Sequence, residues 1–343
     1  MTYFSLPINF QDFRFKFMDT MNNVSIQGDQ RYIDYKFDFL TFPVLVACIP
    51  LTYLVPTVFI ILKVFKCYFR NLVGKQEATM NPHVFFVIVT AQLTSIFFML
   101  SDYITIRLPF TGILTSWCAS QQPNHLLKVL FFYTFYFTYV SWQFPFLLSI
   151  LRLIPLYYPQ KHNEVCAKTI KFAIPFIYLY PFIFGFSLIP AVGTCRQLLG
   201  PYQFGAIFIW YTGNWFDIKL MNGSIFNLIL WLLLCIISNL ALYFKLKKLK
   251  NHRKSVILQR AELSLSLTAL SMLLSFVTTL ICALIFIIFP TMAVYFIALR
   301  PFGNDCEICF GPWIFYLTHP AFKKKKILFW KDASKIGTIH TTF

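Results

Sequence analysis

The chain has 343 residues, of which 58% are hydrophobic and only 13% charged, where a soluble domain carries ~25% charged residues. It is strongly basic, with 30 Lys and Arg against 13 Asp and Glu and a formal charge of +17. Those basic residues lie in short blocks between apolar runs, which argues against a nucleic-acid-binding surface and for the loops of a positive-inside membrane protein.

Residues 1–38 mix Phe with Asp12, Asp19, Asp29, Asp34 and Asp38 and lack the continuous apolar stretch of a cleavable signal. They read as a tail, with targeting left to the first span. Within it Asn23-Val24-Ser25 is an N-glycosylation sequon. A second match, Asn222-Gly223-Ser224, abuts a span and lies too near lipid to be modified. Seven spans follow, at 39–62, 84–106, 127–150, 170–191, 223–244, 263–289 and 295–318, each long enough to cross a ~30 Å hydrocarbon core. The sixth has no charged residue, whereas the seventh contains Arg300, Asp305 and Glu307. A loop over 290–303 would leave the last span too short, so the longer helix is the expectation. The predicted fold is an all-α membrane protein, a seven-transmembrane-helix bundle. An outer tail covers 1–38, the bundle 39–319 and a basic inner tail 320–343.

Charge sets the orientation. The segments 63–83, 151–171, 245–262 and 320–343 hold 21 of the 30 basic residues and four of the 13 acids, and the rest of the chain holds nine of each. The positive-inside rule puts these segments in the cytoplasm and the N-terminus outside. Of nine cysteines, five fall in spans (Cys48, Cys235, Cys282, Cys306, Cys309) and two in cytoplasmic loops (Cys67, Cys166). Cys118 and Cys195 face outside, where they either form a disulfide or stay as two free thiols.

Ionisable groups inside spans cost at least ~2.5–3.5 kcal/mol each at the bilayer centre, so they face protein or water. Here they are Asp102, Lys128, Arg300, Asp305 and Glu307, all in the outer half and together of charge −1. They outline a candidate ligand cavity open to the outside, suited to a polar or weakly cationic ligand. The alternative is internal pairing, Arg300 with Asp305 or Lys128 with Asp102. Two stripes at helical spacing are more regular: Thr134, Thr138, Ser141, Pro145, Ser149 and Arg152 in span three, and Ser264, Thr268, Ser271, Ser275, Thr278 and Cys282 in span six. Small hydroxyl residues so spaced let helices approach closely. Arg152, at the inner mouth, either anchors the helix at the lipid surface, holds an inactive pairing or meets a partner. Basic clusters over 245–260 and 323–326 attract anionic lipid at ~1 kcal/mol per charge, and could equally receive a signalling partner.

Enzymatic constellations are missing. There is no His-Glu-x-x-His, Gly-x-Ser-x-Gly or phosphate-cradling loop, and six His are scattered singly. Cys306-x-x-Cys309 lies inside a span, where small buried hydrophobes are the better account. No enzyme activity, metal or cofactor is expected. No internal repeat of the transporter kind is visible, and a ligand-gated channel or transporter is the alternative function.

Specific strings carry a resemblance: Asn81-Pro82-His83-Val84-Phe85, Thr115-Ser116-Trp117-Cys118 through Pro123-Asn124-His125, Leu151-Arg152-Leu153-Ile154-Pro155, Gly213-Asn214-Trp215-Phe216-Asp217, Arg300-Pro301-Phe302-Gly303-Asn304-Asp305 and Pro312-Trp313-Ile314-Phe315-Tyr316. They run in order along nearly the whole chain, whose seven spans, outside N-terminus and outer cysteine pair resemble G-protein-coupled receptors in general. More narrowly, the chain resembles nematode serpentine chemoreceptors of the Srg superfamily, closest to class U (Sru). The resemblance implies a Cys118–Cys195 disulfide. It also puts Arg152 where rhodopsin-like receptors carry the arginine of Asp-Arg-Tyr, here between Leu151 and Leu153. Pro312 and Tyr316 echo Asn-Pro-x-x-Tyr with a spacing one residue longer and no Asn. The implied function is a chemosensory receptor in the plasma membrane of sensory neurons. It would bind a small-molecule cue near Asp102, Lys128, Arg300, Asp305 and Glu307 and signal to a heterotrimeric G protein through Arg152, Lys247, Lys248 and Arg253.

Overall fold

The computed structural model describes residues 25–73, 81–198, 202–213, 215, 220–250, 256–289, 300–320 and 322. A short helix α1 (Gln30–Ile33) comes first, capped by Asp29, whose side chain accepts from the Arg31 N–H. Span one is broken near its start into α2 (Phe42–Cys48) and α3 (Leu51–Val73). Pro50 stands at the break, where its missing N–H cannot continue the helical ladder.

Span two consists of α4 (Pro82–Asp102), a π-helical turn (Tyr103–Arg107) and α5 (Leu108–Thr111). Pro109 has no N–H for the carbonyl of Thr105, and the ladder closes instead through a five-residue bond from the Leu108 N–H to Tyr103. After α6 (Thr115–Ser120) comes span three, α7 (His125–Tyr157), begun by Asn124, whose side chain accepts from the Leu127 N–H at 3.0 Å. Span four is α8 (His162–Gly185), followed by strands β1 (Val192–Gln197) and β2 (Ile207–Thr212). Spans five and six are α9 (Leu220–Lys250) and α10 (Val256–Ile288), and α11 (Arg300–Thr318) takes the seventh place.

Among the described residues, six helices are long and apolar enough to cross a membrane. α11 falls short on apolarity because it carries Arg300, Asp305 and Glu307, yet it packs inside the bundle against α10, α3 and α4. Residues 295–299 of the expected seventh span lie outside the described residues. The helices overrun the apolar stretches at their inner ends: α3 continues to Val73, α8 starts at His162, α9 reaches Lys250 and α10 begins at Val256. Much of 63–83, 151–171 and 245–262 is therefore helical rather than loop.

α7 is the central helix. Val140, Phe144, Leu147, Leu148 and Leu151 on it are buried with Val64, Ile88, Met272 and Phe315 in the largest core cluster. α8 is peripheral and presents Phe172, Leu179 and Ile183 outward, as Phe59 on α3 and Ile237 on α9 do. These apolar faces suit lipid rather than water.

The outer face carries a structure the hydropathy pattern does not announce. β1 and β2 form an antiparallel hairpin with Cys195 opposite Ile209, and Ile207, Ile209 and Tyr211 alternate inward. A disulfide joins Cys118 of α6 to Cys195 of β1, 77 residues apart in sequence. Residues 25–28 lie on the same scaffold. The Ile26 N–H donates to the Cys195 carbonyl at 3.1 Å, and the Gly28 N–H to Ala119 at 2.8 Å. Gly193 permits a close approach there, since a Cβ would sit 2.4 Å from Leu127 Cβ. The Arg31 guanidinium, 2.7 Å from Asp29, holds that carboxyl below the usual carboxylate range.

Candidate functional site

The ionisable groups of the outer half converge on Arg107, at the end of the π turn. Its Nε donates to Asp102 Oδ2 at 2.9 Å, Nη1 to Asp305 Oδ2 at 3.0 Å, and Nη2 to Asp305 Oδ1 at 2.6 Å. Nη2 also donates to the Pro301 carbonyl at 3.2 Å. Tyr53 of α3 donates its hydroxyl to Asp305 Oδ2 at 2.5 Å. The Tyr103 ring lies 4.7 Å from the guanidinium, and its hydroxyl donates to the Ala47 carbonyl at 3.0 Å. Asp102, Arg107 and Asp305 are 2%, 5% and 3% exposed. A bidentate guanidinium–carboxylate pair is geometrically specific as well as strong, so this network fixes the outer ends of spans one, two and seven to one another.

Several expectations change. Asp102 and Asp305 do come together, through Arg107. Lys128 turns to the rim and donates to the Ile189 carbonyl at 2.8 Å. Arg300 opens α11, and its side chain lies outside the described residues. Glu307, two residues beyond Asp305, faces elsewhere: it lines a small cavity with Gln92, Ser95, Ser141 and Pro312. Gln92 there is 2% exposed.

Arg107 itself escapes the sequence reading. It falls one residue past the predicted end of span two, and in an ideal helix of 3.6 residues per turn it would point about 140° away from Asp102. The signal that could have found it is Pro109, whose missing donor disturbs the ladder just before it. Tyr53 and Gln92 carry no charge and gave no signal of their own.

Beside this network lies a narrow, partly open cleft. Phe42, Pro43, Val46 and Ala47 of α2 line it, with Arg107 and Phe110 of span two, Tyr202 of the outer loop, and Pro301 and Phe302 of α11. Its walls are apolar except for Arg107 and the Tyr202 hydroxyl.

At the inner end, Arg152 of α7 is 5% exposed and donates Nη2 to Ser266 Oγ of α10 at 2.7 Å. The span-three stripe bonds mostly to its own backbone, with Thr138 donating to Thr134 and Ser149 to Pro145. Thr134 also meets Thr105 of span two at 2.7 Å. From the span-six stripe, Ser264 accepts from Thr318 of α11 at 2.6 Å, which joins these two helices. Lys247 and Lys248 are exposed on α9, and Lys245 lies 4.5 Å over the Tyr157 ring. Arg253, Asn23 and residues 323–343 lie outside the described residues.

Comparison with known proteins agrees with this architecture. Residues 26–325 match the profile of the family described as "Serpentine type 7TM GPCR chemoreceptor Sru". A relative, "Serpentine receptor class U-26" of Caenorhabditis elegans, is 35% identical over 260 residues, covering 74% of this chain and 88% of that protein. The match spans all seven helices, including the charged seventh, and the chain belongs to the Sru family of serpentine chemoreceptors, which makes it a multi-pass membrane receptor for chemical cues.

Proposed function

We propose that this receptor sits in the plasma membrane of chemosensory neurons, with its N-terminus outside, and couples an external small molecule to a heterotrimeric G protein. Within the Srg superfamily it is a class U member by this reading. Residues 1–38 form the outer tail, with Asn23 as its glycosylation site. Residues 39–319 form the receptor bundle, and 320–343 the basic inner tail. The cue acts on the outer network of Asp102, Arg107 and Asp305, and Lys128, Arg300 and Glu307 are the further candidate contacts at this end of the bundle. The inner surface of Arg152, Lys247, Lys248 and Arg253 meets the G protein.

The observation that carries this reading is the pair of polar ties at opposite ends of the bundle. At the outer end Arg107 links spans two and seven while Tyr53 adds span one. At the inner end Arg152 links spans three and six. A ligand shifts a two-state equilibrium only by its difference in affinity between the states, and breaking either tie changes how these helices pack. Arg152→Ala tests it: receptor-driven GDP–GTP exchange, screened in membranes against candidate chemicals, is expected to vanish while surface expression holds. Unchanged exchange removes Arg152 from coupling.

A further inference from the structure

The cleft beside the Arg107 network is closed in this structure, with room for about one water. A cue can act there only if its walls part. One wall is α2, with Phe42, Pro43 and Ala47, and another is the outer loop, with Tyr202. Among the described residues, the segment Ser25–Tyr35 ties these two walls together.

On the loop side the ties are many. The Ile26 and Gly28 N–H groups donate to the carbonyls of Cys195 in β1 and Ala119 in α6, and the Ser116 hydroxyl of α6 donates to the Ile33 carbonyl at 2.7 Å. Ile26 and Tyr32 are buried against Cys118, Leu127, Ile207 and Ile209. The Tyr32 ring stacks on Phe204 with centroids 4.5 Å apart, and Tyr35 meets the same ring edge-on at 6.0 Å. Tyr35 also fills a seat between two glycines. A Cβ on Gly205 would run into its ring, and one on Gly112 would lie 2.9 Å from its hydroxyl.

On the other side the link to α2 is short. Phe42 opens that helix seven residues after Tyr35, a stretch of at most ~25 Å. Phe37 packs edge-on against Phe39 and Asp38 accepts from the Leu40 N–H, so the link is folded rather than slack. All these ties are noncovalent, whereas α6 and β1 are joined by the Cys118–Cys195 disulfide. The segment can therefore lift while the hairpin and α6 stay together.

We propose that Ser25–Tyr35 is a strap: seated, it holds α2 against the outer loops and the cleft shut, and its release opens the cleft beside Arg107 to the cue. This rests on the reading above, in which the cue acts at the outer network. Release also reaches span two, because the Ala47 carbonyl of α2 accepts from the Tyr103 hydroxyl of the π turn.

Cysteine accessibility tests the strap without a cue or a G protein. Ala47→Cys, at a cleft position 7% exposed, is placed in the full-length receptor with exposed Cys48 changed to Ser. Its rate of modification by trimethylammonioethyl methanethiosulfonate added outside is divided by that of Gln122→Cys, an exposed outer position. Tyr35→Ala should raise this ratio at least ~tenfold, the scale of losing one packed ring. Ser116→Ala, which removes a single hydrogen bond to the strap, should raise it about threefold and decides the matter if Tyr35→Ala fails to reach the surface. A raised ratio supports the strap, and an unchanged ratio overturns it. The proposed function fails separately, if no candidate chemical drives nucleotide exchange in the parent receptor, and the labelling ratio still decides whether the strap holds the cleft shut.

Discussion

Arg107 and its two carboxylates are a buried ion network whose stability depends on every member being present. Removing one partner of such a group leaves an uncompensated buried charge, which costs about 3–5 kcal/mol. Arg107→Ala strands two acids, both at most 3% exposed, and should lower the melting temperature of the purified receptor far more than Lys128→Ala. Lys128 makes a hydrogen bond at the rim to Ile189, so its loss should stay within about 1 kcal/mol, as for surface groups generally. Equal melting temperatures for the two variants would deny the network its structural role. Asp102 and Asp305 were legible in the sequence because charges are conspicuous in apolar runs. Their partner was not, since a helical wheel places Arg107 on another face and the π turn that brings it round depends on local ladder geometry.

At the scale of elements, α11 shows why hydropathy alone undercounts the spans. Its polar residues point inward, where Asn304, Asp305 and Glu307 are buried beside Ile308 and Cys309, so a window average makes it look less like a span than it is. Its fit against α10 is close at Gly303, where a Cβ would lie 2.5 Å from Thr278 Cβ. Overpacking of this kind costs about 1–3 kcal/mol. Gly303→Ala should therefore reduce surface delivery, whereas Gly311→Ala on the same helix, whose Cβ would meet only Ser271 Oγ at 3.8 Å, should be tolerated. Comparable surface counts by flow cytometry would refute the close approach. The hairpin illustrates the reverse case. Ile207, Ile209 and Tyr211 have a period of two, but a six-residue strand between two long apolar spans is easily passed over, and its partner strand has no such pattern.

For the whole molecule, the outer face is held by covalent and backbone ties together. The Cys118–Cys195 disulfide closes a long loop, and losing such a bridge removes about 2–5 kcal/mol. Ile26 and Gly28 bond to Cys195 and to Ala119, the neighbour of Cys118, so the same loss loosens the tail. Cys118→Ser should impair delivery to the cell surface. Normal delivery together with a normal cue response would make the bridge dispensable.

The amino-acid sequence by itself determined the class of molecule, because span length and loop charge answer to the bilayer and need no knowledge of neighbours. It identified most of the spans, the outer pair of cysteines and the buried acids for the same reason: each is a local departure from an apolar background. Which charges meet was decided only in the tertiary structure. A carboxylate selects its partner by distance and direction, and those depend on a proline-disturbed turn in span two and on the packing of three helices, the first and last of which meet through residues 252 positions apart in the chain.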